Sequence, residues 1–443
     1  MNHPLPQAFI ARMRAQLGPD ADAYFSALEE PYRRGVRLNP RKNSPMPEGA
    51  LDPVPWNAEH GRYLTQDSAA GLDPLHEAGA YYIQEPSAMA PAALLAPRPG
   101  ERVLDLCAAP GGKSTQIADA LAGQGLLVCN EPVPSRAKIL SRNIERMGVS
   151  NALVVSAEPE KLAPLWPECF DAVLVDAPCS GEGMFRRHPE TRAEWDEGSP
   201  EGCAARQSYI LRCAVAMLKP GGRLAYSTCT LNEIENEQVV AQLLREHPEL
   251  RAVPFTLPIG HGRLLEAPNG MAHLYPHQLE GEGHFVALFE KAQGDSQDLF
   301  RPAHEQLAKP QKPLLNAYEA FAKPFGPLPC ANAQLGDALL CCPDLPPLKG
   351  IKVLRAGLQL GTLKGKVFAP DHALAMALPQ PYALPTVAFT REEALRYQSG
   401  ETLAVSEALS GYALPTYHGL ALGFGKASSG QLKNHYPKGL RRP

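Results

Sequence analysis

Two cysteines in this chain each follow an apolar stretch that is typical of a buried β-strand. Cys179 comes directly after Asp176-Ala177-Pro178, and Cys229 lies within Ser227-Thr228-Cys229-Thr230. Ligands of an open α/β sheet bind beside the carboxyl ends of its strands, so both thiols and the Asp176 carboxylate are expected to converge there. A single cysteine at a strand end is usually a small buried hydrophobe. Two cysteines at the ends of neighbouring strands, each beside small polar residues, favour nucleophilic chemistry.

A glycine-rich turn lies upstream, where residues 103–113 read Val-Leu-Asp-Leu-Cys-Ala-Ala-Pro-Gly-Gly-Lys. It is predicted to join a strand to a helix, and glycines without a Cβ let a ligand approach the helix N-terminus. A triphosphate-binding loop would need a glycine at Cys107, which disfavours an NTPase. Glu131 follows the next predicted strand, where an acid suits the ribose hydroxyls of a nucleoside cofactor.

The elements that must position these residues alternate between apolar strands and helical segments. Alternation of this kind predicts a parallel, doubly wound α/β sheet of the Rossmann type, covered on both faces. A helix over 233–245 and a closing strand over 283–289 are predicted to complete this domain. The predicted parallel strands lie near 102–107, 126–130, 152–156, 171–176 and 222–228.

Composition and breaks in the pattern divide the chain into five parts. With 443 residues it is long enough for two or three domains. The predicted parts are an N-terminal α+β extension (1–85), a catalytic domain (86–292), a polar linker (293–315), a small α/β region (316–385) and a β-rich C-terminal domain (386–443).

Charge and cysteine usage restrict the compartment and the partners. The net charge is -4, yet three stretches, 33–42, 349–366 and 426–442, each hold five basic residues and no acid. Such stretches are often only solvated surface, but three on an acidic chain favour a nucleic-acid partner. The ten cysteines show no C-x-x-C pair or zinc-ligand spacing, so no metal is expected. Without an apolar signal or spanning segment, a cytoplasmic protein is expected.

These motifs together resemble the Nop/Sun family of RNA cytosine-5 methyltransferases, which use S-adenosylmethionine. The N-terminal Arg33–Pro40 and Tyr81–Glu85 stretches fit the same family. The tail, with Gly423–Lys426 and Lys433–Gly439, is similar to the branch that methylates 16S ribosomal RNA, in which it belongs to a PUA-like RNA-binding domain. The resemblance is carried by residues 103–113, Glu131, residues 176–181, residues 227–230 and Asn236-Glu237.

The resemblance implies a class I S-adenosylmethionine-dependent methyltransferase domain and assigns a role to each site residue. Cys229 would add to carbon 6 of a flipped-out cytidine, and Cys179 would help to remove the carbon-5 proton and release the product. Asp176 would hold the base. The implied partner is 16S ribosomal RNA or the small subunit, with no membrane and no obligate protein partner. The implied cofactor-binding residues are Cys107, Ala108, Ala109, Pro110, Gly111, Gly112, Lys113, Glu131, Glu158 and Asp176.

Several alternatives remain open at this level. A transfer RNA substrate fits the same chemistry, and a non-catalytic ribosome-assembly factor could retain the fold. A DNA cytosine methyltransferase would use Cys179 as its nucleophile, whereas an N6-adenine enzyme would need an aromatic residue there. Arg186 and Arg187 could contact RNA or simply begin an exposed helix. Aromatic residues of the tail could stack on bases, although core packing is the more common role; these are Tyr412, Tyr417 and Phe424.

Overall fold

A computed structural model describes residues 3–442. The N-terminal part combines three helices with a four-stranded antiparallel sheet of order β2-β3-β1-β4. Its elements are α1 (Gln7–Leu17), α2 (Ala21–Glu29), β1 (Arg34–Leu38), β2 (Ala50–Pro53), β3 (Gly61–Leu64), α3 (Pro74–Glu77) and β4 (Tyr81–Ile83).

The catalytic part follows with six α-helices and a large sheet. A separate two-stranded hairpin, β11–β12, stands outside that sheet. The elements are α4 (Ala90–Leu95), β5 (Arg102–Asp105), α5 (Gly112–Leu121), β6 (Leu126–Asn130), α6 (Pro134–Arg146), β7 (Ala152–Ser156), α7 (Pro159–Leu162), β8 (Phe170–Asp176), α8 (Ser199–Met217), β9 (Leu218–Thr228), α9 (Glu237–Glu246), β10 (Leu250–Ala252), β11 (Phe255–Gly260), β12 (Arg263–Ala267), β13 (Met271–Leu274) and β14 (His284–Lys291).

The large sheet has the order β10-β14-β9-β8-β5-β6-β7, with β13 paired to β14. Strands β5 to β9 run parallel, as predicted, whereas β14 pairs antiparallel with β9. After β5 the chain adds β6 and β7 on one side and β8 and β9 on the other. The order in which successive strands are added therefore reverses between β5 and β8. Ligands of such sheets bind at the carboxyl ends of the strands beside this switch point.

Helix α9 begins four residues later than the sequence pattern predicted. The polar side chains before it are used in tertiary hydrogen bonds instead: Asn232 Oδ1 accepts from the Glu235 amide at 2.8 Å, and Thr228 Oγ1 donates to Asn236 Oδ1 at 2.7 Å. Side chains of this kind compete with helical backbone bonding, so the first predicted turn is an irregular loop.

The C-terminal part contains two further sheets, ordered β15-β16-β18-β19 and β20-β22-β24-β25-β21, with β23 paired to β22. Its elements are α10 (Ala303–Gln306), α11 (Lys312–Ala322), β15 (Ala333–Leu335), β16 (Ala338–Cys341), β17 (Lys352–Ala356), β18 (Leu358–Lys364), β19 (Val367–Pro370), α12 (His372–Ala377), β20 (Thr386–Ala388), α13 (Arg391–Ser399), β21 (Leu403–Ala404), β22 (Gly411–Tyr417), β23 (Leu420–Ala421), β24 (Gly425–Ser428) and β25 (Gln431–Asn434).

Tertiary packing ties the predicted parts together. The segment 293–315, predicted as a linker, carries Phe300 and Ala303, which are buried in the core of the catalytic domain. Strand β17, from the predicted 316–385 region, pairs antiparallel with β7 and extends the large sheet. Apolar side chains in these segments have enough partners to be buried, so the segments are not free connections.

The two ends of the chain share one hydrophobic core. Val36 and Tyr81 of the N-terminal sheet pack with Tyr397, Leu432 and Tyr436 of the last domain, all buried. The N-terminal extension and the C-terminal domain are therefore one packed unit on the side of the catalytic domain.

Candidate active site

The glycine turn connects β5 to α5 as the sequence predicted. Gly111 caps α5 with a φ of 114°, in the left-handed region that glycine adopts without strain. The turn borders a cleft of about 570 Å³ at the carboxyl ends of the strands. Residues along the cleft include Cys107, Ala109, Glu131, Arg136, Glu158, Asp176, Cys179 and Cys229.

Both thiols lie in this cleft. Strands β8 and β9 are parallel neighbours with Asp176 opposite Ser227, so the residues just beyond their ends meet. The Cys179 and Cys229 Sγ atoms are 3.2 Å apart, and both residues are partly buried. The hydrogen bond with Cys229, together with burial, raises the pKa of Cys179 well above its usual range. Cys179 is therefore a neutral thiol that can donate its S–H to Cys229.

Asp176 is held as a carboxylate between two neighbouring side chains. Lys113 Nζ donates to Asp176 Oδ2 at 2.7 Å, and Ser227 Oγ donates to Oδ1 at 2.7 Å. Burial opposes ionisation of Asp176, but Lys113 and His284 outweigh it and hold the pKa of this carboxyl well below its usual range. A hydrogen-bond acceptor is thus fixed beside the two thiols.

A buried carboxylate outside the cleft holds the Cys179 loop in place. Glu235 is fully buried and accepts hydrogen bonds from the Ser180 amide at 3.0 Å and Gln207 Nε2 at 2.8 Å. The Gly183 amide donates to the Cys229 carbonyl at 2.9 Å, and a Cβ on Gly183 would lie 2.9 Å from that oxygen. Position 183 must therefore be glycine for the loop that follows Cys179 to pack this closely on the loop that contains Cys229.

The residues expected at the cofactor divide between the cleft and its surroundings. Glu131 is buried, with Oε1 accepting from the Val133 amide at 3.0 Å, whereas Glu158 is exposed at the start of α7; both line the cleft. Cys107 and Ala109 line it as well, but Lys113 does not. Burial and the nearby carboxylates raise the pKa of Cys107 well above its usual range, so it is a thiol too.

A smaller cavity of about 220 Å³ borders the same turn and shares Cys107, Ala109 and Asp176 with the cleft. Asp176 therefore lies between the cleft and this smaller cavity. The residues expected at the cofactor that line this second cavity are Cys107, Ala108, Ala109, Pro110, Gly112, Lys113 and Asp176; Gly111 lines neither cavity.

Two polar residues at the site were not among the predicted site residues. Arg136 lines the cleft, with Nη1 3.4 Å from Glu131 Oε2 and Nη2 donating to the Ala109 carbonyl at 3.0 Å; its helical position resembles ordinary surface. His284 is buried behind Lys113, with Nε2 3.4 Å from Lys113 Nζ and 3.8 Å from Asp176 Oδ1. It begins a strand far along the chain, and no local pattern signals its role.

The tautomer of His284 follows from its neighbours. Ser87 Oγ donates its one hydrogen to Glu85 Oε2 at 2.5 Å, so it must accept from His284 Nδ1 at 3.3 Å. His284 therefore donates through Nδ1, and its Nε2 faces both Lys113 Nζ and Asp176 Oδ1. The imidazole thus packs behind the lysine that binds Asp176.

The adjacent arginines after the catalytic loop have different environments. Arg186 is buried and donates to both oxygens of Glu282, at 2.6 and 3.0 Å, and to the Ala27 carbonyl at 2.8 Å. Arg187 lines the smaller cavity and lies 5.7 Å from the ring centroid of Tyr32. Only Arg187 keeps a guanidinium that can face a ligand.

The tail aromatics pack mainly inside the protein. Tyr417 and Phe424 are buried, and Tyr412 is partly buried with its ring centroid 5.5 Å from that of Phe321. Within residues 3–442, no cluster of three His, Cys, Asp or Glu side chains could hold a metal ion. In the same range no helix is long and apolar enough to cross a membrane.

Four family models and several known proteins match this chain. The model described as 16S rRNA methyltransferase RsmB/F matches residues 92–290, and the RsmF N-terminal domain matches 5–86. The first C-terminal domain of RsmF matches 323–378, and the RsmF PUA domain matches 384–442. The ribosomal RNA small subunit methyltransferase F of Erwinia tasmaniensis is 35% identical over 469 residues, which cover 99% of this chain and 97% of that protein. The chain belongs to the RsmF family of 16S rRNA methyltransferases.

Further members of the RsmF family and a solved structure agree with this assignment. The ribosomal RNA small subunit methyltransferase F of Klebsiella pneumoniae is 36% identical, over 99% of this chain and 96% of that protein. A methyltransferase homologue from Pyrococcus horikoshii is 31% identical with a TM-score of 0.55, over 65% of this chain and 95% of that one. The resemblance, the α/β methyltransferase fold with a PUA domain and the use of S-adenosylmethionine are confirmed.

Proposed function

We propose that this protein methylates carbon 5 of a cytidine in 16S ribosomal RNA, with Cys229 as the nucleophile and S-adenosylmethionine as the methyl donor. The observation that carries the proposal is the pair of thiols, whose Sγ atoms are 3.2 Å apart beside an ionised Asp176. Carbon 5 of cytosine is a poor nucleophile, and addition of a thiolate to carbon 6 activates it. Two thiols and a carboxylate at one cleft suit this reaction.

Cys229 performs the addition and the final departure. Its thiolate forms a bond to carbon 6 while the Asp176 carboxylate accepts a hydrogen bond from the exocyclic amino group of the base. Methyl transfer leaves carbon 5 carrying both a methyl group and a proton. Loss of that proton to a base restores the double bond and expels Cys229 as a thiolate.

The raised pKa of Cys179 and its contact with Cys229 favour a role in the release step. A neutral thiol cannot accept the carbon-5 proton, but its S–H can stabilise the Cys229 thiolate as it leaves. In this arrangement another group or a water molecule removes the proton. Cys179 therefore makes turnover possible without being needed for the first bond.

The residues of the two cavities fit S-adenosylmethionine, which supplies an electrophilic methyl group on a sulfonium. Glu131 would accept from the ribose hydroxyls, and Glu158 would lie along the adenine. Asp105 Oδ1 is buried without a hydrogen-bond partner and borders the smaller cavity, which favours a donor such as an ammonium group there. The turn over 107–113 would hold the remaining part of the cofactor.

The test is methyl transfer from labelled S-adenosylmethionine to small subunits from a strain that lacks the enzyme, and to their isolated 16S RNA. Bisulfite sequencing then identifies 5-methylcytidine. Transfer to cytidine by the natural protein and none by Cys229→Ala is expected. Incorporation that survives Cys229→Ala would disprove the assigned nucleophile, and transfer only to transfer RNA would disprove the proposed substrate.

The matched variant Cys179→Ala separates the roles of the two thiols. It retains Cys229, so it is expected to accumulate covalently bound RNA that resists denaturing electrophoresis. A Cys179→Ala protein that turns over normally, or a covalent complex that persists in Cys179→Ala/Cys229→Ala, would contradict the assignment.

A further inference from the structure

The two cysteines of the active-site cleft are placed so that they can react with each other. The Sγ atoms of Cys179 and Cys229 are 3.2 Å apart, and both thiols are free. A disulfide joins two sulfurs about 2.05 Å apart, so these two need to approach by only about 1.2 Å. Both residues are only partly buried and line the cleft of about 570 Å³, so a small oxidant can reach the pair.

The two loops that carry the cysteines are fixed with respect to each other. Ser180 and Thr230, the residues that follow the two cysteines, are joined by a hydrogen bond of 2.9 Å between their hydroxyls. The Gly183 amide donates to the Cys229 carbonyl at 2.9 Å. Because these contacts cross from one loop to the other, the two sulfurs are held close together by the fold itself.

The thiols around the pair differ in how readily they lose a proton. The hydrogen bond with Cys229, and then burial, raises the pKa of Cys179 well above its usual range, and burial with the nearby carboxylates does the same for Cys107. Burial, and then Glu235, raises the pKa of Cys203 to about 11. These three are neutral thiols at pH 7, whereas Cys229 receives an S–H hydrogen bond, which stabilises a thiolate. Cys229 is therefore the sulfur of this group that reacts first with an oxidant.

We propose that Cys179 and Cys229 form a reversible disulfide in the presence of hydrogen peroxide, and that this bond stops methyl transfer. The inference rests on the proposed function for the role of Cys229 as the nucleophile. A sulfur that is bonded in a disulfide cannot form the bond to carbon 6. Redox-sensing cysteines have an accessible nucleophilic sulfur with a second thiol beside it, and this pair has both features.

The oxidation takes place in two balanced steps. The Cys229 thiolate attacks one oxygen of the peroxide, the O–O bond breaks, and the other oxygen leaves as hydroxide, which takes up the proton that Cys229 had released. Cys229 is then a sulfenic acid. The Cys179 sulfur attacks the Cys229 sulfur, its proton passes to the departing hydroxyl group, and a second water leaves. The pair has given two electrons to the peroxide, and a dithiol returns them and restores both thiols.

Cys179 also keeps the oxidation of Cys229 reversible. A sulfenic acid that finds no second thiol is oxidised further to a sulfinic acid, which thiols do not reduce. With Cys179 only 3.2 Å away, the sulfenic acid is converted to the disulfide before a second peroxide arrives. The thiol that assists product release thus protects the nucleophile as well.

The test treats the wild-type protein with hydrogen peroxide in the absence of RNA. Remaining thiols are blocked with N-ethylmaleimide, and mass spectrometry of peptides prepared without reduction identifies the linked cysteines. We expect peptides joined through Cys179 and Cys229, which dithiothreitol separates. Methyl transfer to small subunits should be lost in proportion to the linked fraction and should return after dithiothreitol.

Two variants sharpen the test. In Cys179→Ala the nucleophile has no second thiol beside it, so peroxide should produce a sulfinic acid on Cys229 that dithiothreitol does not reverse. The matched control is Cys330→Ala, which removes an exposed cysteine that does not line the cleft. It should form the same linked peptides as wild type, and lose and regain methyl transfer in the same way. Circular dichroism checks that both variants remain folded.

Three results would overturn the proposal. They are linkage of Cys229 to Cys107 or Cys203 instead of Cys179, oxidation of wild type that yields sulfinic acid without the disulfide, and full methyl transfer by the linked protein. Failure of the proposed function is recognised separately. If untreated wild type transfers no methyl group to 16S RNA, that function is disproved, whereas the peptide analysis needs no RNA and still decides whether the disulfide forms.

Discussion

Two basic runs of this chain place lysine and arginine residues in contrasting environments. The run 33–42 and the run 426–442 each hold five basic residues and no acid. In the first, Arg37 is 1% exposed and paired with Asp119 on α5, and Lys42 donates to the Ala78 carbonyl at 2.6 Å. In the second, Lys426 and Lys433 are exposed and unpaired.

The two runs differ in the role of their charged side chains. Arg37 also bonds Thr115 Oγ1 at 2.5 Å and Gln84 Oε1 at 3.1 Å, so the N-terminal run fixes the helix that follows the cofactor turn. Burial, and then Arg41, lowers the pKa of Lys42 to about 7, so even its charge is reduced. A basic run can therefore stabilise a fold or face a ligand, and composition does not distinguish the two.

The largest expected effect is the loss of stability on substitution of Arg37. Arg37→Ala leaves the Asp119 carboxylate buried, with only Arg41 beside it, and should lower the free energy of unfolding by about 3–5 kcal/mol. Urea unfolding followed by circular dichroism measures this loss. Lys433→Gln serves as the control and should lose nothing; an Arg37→Ala protein as stable as wild type would abolish the contrast between the regions.

The neighbours Arg186 and Arg187 repeat the contrast within two residues. Arg186→Ala removes the hydrogen bonds to buried Glu282 and should cost about 2–3 kcal/mol of stability. Arg187→Ala should leave the unfolding midpoint unchanged and weaken RNA binding severalfold, with a smaller salt dependence. Unfolding curves and RNA titrations on both variants check this, and equal losses of stability would contradict it.

A smaller effect of opposite sign is expected on the strand pair β24–β25, where Lys426 lies opposite Lys433. Lys433→Gln relieves the cross-strand repulsion with Lys426 and should raise the free energy of unfolding by about 0.2–1 kcal/mol. Thermal unfolding at low and high salt measures the gain, which should shrink as salt screens the charges; a loss of stability would show that Lys433 is held by a contact of its own.

The smallest expected effect is on the titration of His435. Its pKa is lowered in the fold, so the folded protein binds fewer protons than the unfolded chain as the pH falls through the range between the two pKa values. His435 therefore lowers stability progressively as acid is added below its unfolded pKa. NMR of the imidazole should show a higher pKa in Lys433→Gln than in wild type, and an unchanged value would place Lys433 too far away to act.

The sequence determined the centre of the site by itself. The strands predicted near 102–107, 171–176 and 222–228 specify parallel neighbours, and parallel strands bring the residues after their ends to one edge of a sheet. The spacing of Asp176, Cys179 and Cys229 therefore implied their proximity, because periodicity and strand direction are local properties of the chain.

Only the tertiary structure decided which charges are free and what supports the site. His284 reaches Lys113 from a distant strand, and Lys364 and Lys433 both lower the pKa of His435 although separate domains carry them. The burial of Phe300 in a segment that resembles a linker has the same origin. Exposure, pairing and electrostatic potential are set by neighbours far along the chain, and no local pattern of residues encodes them.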